Sequence, residues 1–91
     1  MMKLKRYWFV VYPETPYGMG NFGVTAYSII EARRLLLETL DNNHWHKIPE
    51  NLDNIEVIED IDIRLLDKGH VIPNMGAVIF KGVWWPRFNF S

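Results

Sequence analysis

Cysteine is absent from this sequence, which removes disulfide bridges, thiolate metal sites and a cysteine nucleophile together. Long apolar runs are absent too. The stretch from Tyr7 to Tyr12 is only six residues, far short of the roughly 20 needed to span a bilayer. It follows Lys3, Lys5 and Arg6, as the apolar part of a signal peptide would. It is nevertheless too short and too aromatic for that role, and it lacks a small-residue cleavage site. We read it as a first strand and expect no membrane partner. A chain without cysteine fits a reducing compartment, so a cytoplasmic location is expected. Strong net charge is also missing: the formal value is −1, which argues against a generic nucleic-acid binder.

Apolar material is what the chain has in quantity. Hydrophobic residues make up 48% of it, and its thirteen aromatics include four tryptophans, enough for a dense core. Ninety-one residues accommodate one domain, 1–91, and leave no room for two.

Lys5 to Tyr12 is aromatic and β-branched and stops at Pro13, as a strand would. Both of its alternating sets are apolar, Trp8, Val10 and Tyr12 against Tyr7, Phe9 and Val11. Such a strand is central, or is covered on its second side by the tail or a partner. Pro13 to Gly20 is a loop, and Asn21 to Tyr27 resumes as an antiparallel partner strand.

Ser28 to Asp41 is the clearest helix. Ser28 and Glu31 form a capping box, in which the hydroxyl accepts from the Glu31 N–H and the carboxylate returns to the Ser28 N–H. Ile29, Ala32, Leu36 and Leu40 make the core stripe, widened by Leu35 on one side and by Leu37 and Ile30 on the other. That arc is broader than one sheet contact needs, which suggests a further layer or an interface. Arg33 lies inside it, either snorkelling at the core edge or pairing with a carboxylate. Asn42 and Asn43 supply the stop.

Ile55 to Ile63 reads as a strand with Ile55, Val57, Ile61 and Ile63 on the core side, joined there by Glu59. Glu56, Asp60 and Asp62 then lie opposite with Ile58. Leu65 to Gly69 is a turn, His70 to Gly76 a short extended piece and another turn, and Ala77 to Trp85 the last strand. The expected fold is α+β: an antiparallel sheet in ββαββ order with one main helix packed on one face.

Chemistry-bearing residues are sparse. His44 and His46 flank Trp45 in a polar linker without an obvious third ligand, so no metal site is assigned. His70, with Asp67 and Asn74 nearby, is the candidate general base of a small hydrolase. No serine or cysteine nucleophile accompanies it, since Ser28 is spent on the helix cap. Gly18, Gly20 and Gly23 have the G-x-G-x-x-G spacing, but strand residues follow where the dinucleotide motif requires a helix. Catalytic residues and cofactors are therefore not expected.

Charge is unevenly spread. Residues 1–34 carry five basic and two acidic groups. Residues 50–67 carry seven acids, Glu50, Asp53, Glu56, Glu59, Asp60, Asp62 and Asp67, against Arg64 alone. A solvated strand face accounts for these acids, but their mutual repulsion also suits a cationic protein partner. Trp84, Trp85 and Arg87 follow near the C-terminus. Adjacent strand residues face opposite ways, so one tryptophan would enter the core and the other remain available as an anchor.

Gly23-Val-Thr-Ala-Tyr-Ser28 with Glu31-Ala32, Ile58 to Ile63, Leu66-Asp67, Gly69 to Val71, Pro73 to Gly76 and Gly82 to Trp84 form a pattern over residues 22–86. It resembles small bacterial proteins similar to immunity proteins of polymorphic or contact-dependent toxin systems. The resemblance implies a non-catalytic protein that neutralises a toxin, with no catalytic residues to carry over. On this reading Glu56, Glu59, Asp60, Asp62, Trp84, Trp85 and Arg87 contact a basic toxin domain. A homo-oligomeric structural or regulatory domain, such as a homodimer, is the alternative.

Overall fold

A computed structural model describes residues 3–43 and 55–86. β1 (Lys5–Val10) is an inner strand of a four-stranded sheet in which every pairing is antiparallel. β2 (Phe22–Ala26) lies on one side of it and β3 (Glu56–Glu59) on the other, and β4 (Gly82–Trp85) flanks β2. With α1 (Ile29–Asn42), the fold is α+β. The simple ββαββ string is interrupted by a 3-10 turn at Ile63–Leu65, and the spatial order is β3-β1-β2-β4.

Both faces of β1 are buried, as its two apolar sets require. Tyr7 and Phe9 join Phe22, Val24 and Ala26 under Ala32, Leu36 and Leu40 of α1. Trp8 and Val10 face the other way, where Ile61, Leu66, Val71, Trp84 and Trp85 cover them. The cover on that second face is thus the chain between β3 and β4 together with the tryptophans of β4, not a partner.

β1 stops at Val10, two residues earlier than expected, because a side chain takes over its pairing. Buried Asn21 accepts from the Val11 and Tyr12 N–H groups at 2.7 and 2.9 Å and donates to the Thr15 and Gly18 carbonyls. One amide thereby satisfies both ends of the 11–20 loop.

The Ser28 hydroxyl caps α1, accepting from the Glu31 N–H at 3.1 Å. The return bond differs from the expected box: the Glu31 carboxylate accepts from Tyr27 at 2.9 Å, one residue further back. Ala32, Leu36 and Leu40 are buried and Ile29 and Leu35 pack beside them, whereas Ile30 and Leu37 are exposed. Arg33 is half-buried.

Two bulges account for the larger departures from the expected pattern. The Ile61 N–H donates to the Arg6 carbonyl at 3.1 Å, and the Arg6 side chain donates Nε to the Ile61 carbonyl at 3.0 Å. Tyr7 is already opposite Glu59, which leaves Asp60 as the extra residue, in the left-handed region at φ 56°. The extra residue inverts the alternation. Ile61 joins the tryptophan face instead of the side of Ile55 and Val57, so the expected single strand from Ile55 to Ile63 does not form. The second bulge lies in β4, where Gly23 pairs with Trp85 and Val24 with Val83, leaving Trp84 extra. Both tryptophans then fall on one face.

The extended piece expected within His70 to Gly76 is instead a run of turns, closed by the Val71 and Ile72 N–H groups on the Asp67 carbonyl and by Met75 on Val71. The last strand begins only at Gly82, whose φ of 137° suits glycine alone.

Candidate functional site

The acids of the expected acidic face take different local positions. Glu56 and Glu59 lie at the sheet edge, aligned with Val10 and Tyr7 of β1, which face opposite cores. Asp60 occupies the bulge, and Asp62 caps the 3-10 turn by accepting from the Arg64 N–H. Two of these four acids have close basic partners. Glu59 is paired with Lys5, and Asp62 holds the Arg64 guanidinium with contacts of 2.8 to 3.2 Å. Arg64, chiefly through those side-chain hydrogen bonds, lowers the Asp62 carboxyl to about 2.

Neither tryptophan of β4 is available as an anchor. Trp84 is 2% exposed and Trp85 8%. The Trp84 ring stacks on Trp8 with centroids 5.6 Å apart, and the Trp85 indole N–H donates to the Met19 carbonyl at 3.1 Å. The bulge that turns Trp84 onto this face is the reason that alternation misassigned the pair. Arg87, His44, Trp45, His46, Glu50 and Asp53 lie outside the described residues.

A different surface emerges around Glu31. Its carboxylate gathers the Tyr27 N–H, Lys81 Nζ at 3.6 Å and Arg34 at 3.7 Å. The Tyr27 bond, aided by the two cations, holds the Glu31 carboxyl below the usual carboxylate range. Lys81 also lies over the Tyr27 ring, and Thr25 Oγ1 donates to the Val78 carbonyl at 2.7 Å. These contacts tie the segment leading into β4 to the start of α1. On those tied elements Ile30 is 75% exposed, Ile79 72% and Phe80 67%. Ile79 and Phe80 fall within the expected last strand, Ala77 to Trp85, because the tripeptide Val78-Ile79-Phe80 fits a buried strand equally well.

A cleft of about 370 Å³ opens on the tryptophan side of the sheet, lined by Met19, His70, Asn74, Trp85 and Pro86. Asp67 partners its His70, accepting from the Gly69 and His70 N–H groups at 2.7 and 3.2 Å and lying 3.2 Å from His70 Nδ1. The Gly69 N–H, then His70, lower the Asp67 carboxyl. This orients the histidine as the expected general base requires, yet none of the lining residues is a hydroxyl or thiol nucleophile. Among the described residues no group of three or more His, Asp or Glu side chains is placed to hold a metal ion, and no helix is long and apolar enough to cross a membrane.

No family model matches this chain, and no curated protein or solved structure shows significant similarity to it.

Proposed function

We propose that the protein is a non-catalytic binding protein that captures another protein on the surface around Tyr27, Ile30, Ile79 and Phe80. The exposure of those apolar side chains on elements tied together by the Glu31–Lys81 pair carries this reading. Large apolar side chains left in water gain about 1.5–3 kcal/mol each when fully buried, so a few suffice as anchors. The contact centre thus moves from the buried tryptophans to Phe80 and its neighbours.

The sequence resemblance supplies the partner class: a basic toxin domain, neutralised by occlusion in the cytoplasm. Glu56 and Asp60 lie towards the β3 edge, opposite the β4 edge, and act on the encounter through the field of the whole protein. Titration against the product of the adjacent gene tests the proposal. Saturable binding that weakens on substitution of Phe80 supports it, and no binding overturns it. A second copy of this chain is the competing occupant, because the apolar segment leads into edge strand β4. Sedimentation separates the two, since a dimer closed by Phe80 would replace the toxin reading.

A further inference from the structure

The cleft beside Trp85 is unused by the surface just described, and its lining is chemically one-sided. Three of the residues that line it, Trp85, Pro86 and Met19, carry apolar side chains. The Trp85 N–H is committed to the Met19 carbonyl, so the indole offers the cleft ring surface and no free donor.

The polar lining of the cleft is the His70 imidazole and the Asn74 amide. Asp67 is a carboxylate that already accepts two backbone N–H groups, so the proton between it and His70 belongs to the imidazole Nδ1. In the neutral ring a protonated Nδ1 leaves Nε2 as a hydrogen-bond acceptor. Asn74 donates one Nδ2 hydrogen to the His70 carbonyl at 2.9 Å, which leaves its second N–H and its Oδ1 able to pair. Asp67 thus holds the imidazole of His70, and Asn74 its backbone carbonyl. The volume falls within the roughly 300–1,000 Å³ typical of small-ligand sites.

We propose that this cleft binds a phenol-type group, with its ring against Trp85, Pro86 and Met19 and its hydroxyl donating to His70 Nε2. A free small phenol and a tyrosine side chain share that chemistry. A charged anion does not suit the site, because the Asp67 carboxylate lies 3.2 Å from His70 Nδ1. An apolar ring without a donor leaves the His70 acceptor desolvated and unmet.

The test uses p-cresol, toluene and N-acetyl-tyrosinamide, titrated at pH 8 while the Trp85 indole N–H resonance is followed. p-Cresol is expected to shift that resonance saturably and to bind about 3- to 10-fold more tightly than toluene, the value of one hydrogen bond. His70→Phe is expected to bring p-cresol to the level of toluene while toluene itself changes by less than about twofold. N-acetyl-tyrosinamide binding as well as p-cresol points to a peptide tyrosine, and weaker binding to a free phenol. Equal affinity of the wild-type protein for p-cresol and toluene, or no saturable shift with either, overturns the proposal without recourse to any variant.

Discussion

The Trp84 ring fills the space that a side chain at Gly23 would need: a Cβ there comes within 2.5 Å of the indole. That relationship is what lets the bulged tryptophan lie flat across β2 and stack on Trp8. It also assigns the last glycine of the G-x-G-x-x-G spacing a packing role in mid-strand, five residues before the helix cap.

Gly23→Ala is therefore expected to destabilise the fold by about 1–3 kcal/mol, the usual cost of overpacking. Urea unfolding checks this, and the m-value should be unchanged. Stability within about 0.5 kcal/mol of wild type would contradict the tight approach.

Asn21 presents a sharper case, because one buried side chain closes the loop after β1. Asn21→Leu keeps a similar volume but leaves the Val11 and Tyr12 N–H groups unmet. A loss of about 2–4 kcal/mol is expected from two stranded donors. Hydrogen exchange at residues 11 and 12 should accelerate in a variant that still folds, and unchanged protection would refute the assignment.

Acid should weaken the protein through Asp62. Its carboxyl is lowered from 3.8 to about 2 in the folded state. A lowered acid contributes fully above its unfolded value and loses that contribution as pH falls through the folded one. Stability should decline between about pH 4 and pH 2, with Glu31 and Asp67 adding to the fall because their carboxyls are also lowered. Asp62→Asn should make this acid limb shallower. The effect is small because the pair is exposed, but superimposable limbs would remove the Arg64 pairing from the account.

Much of the scaffold was legible in the residues themselves. The capping pair Ser28 and Glu31, the Ala32–Leu36–Leu40 stripe and the doubly apolar β1 each follow one period, and tertiary packing agrees with it. The candidate site was harder to read. Period-2 reasoning assumes uniform alternation, and single extra residues at Asp60 and Trp84 reverse it. That reversal divided the acids among edge, bulge and cap positions and buried both tryptophans. Ion pairing across long separations, Lys5 with Glu59 and Glu31 with Lys81, is likewise invisible in a linear charge count. The exposure of Ile79 and Phe80 emerged only with the late start of β4 at Gly82.

The most direct measurement compares two variants for affinity towards the adjacent gene product. Phe80→Ser should leave stability within about 0.5 kcal/mol, because the ring is exposed, yet weaken binding at least about tenfold. The charge reversal Glu56→Lys with Asp60→Lys should change the affinity by less than about threefold and act mainly on the association rate. An unaffected Phe80→Ser variant, or loss of binding confined to the charge reversal, would contradict the apolar surface as the contact centre.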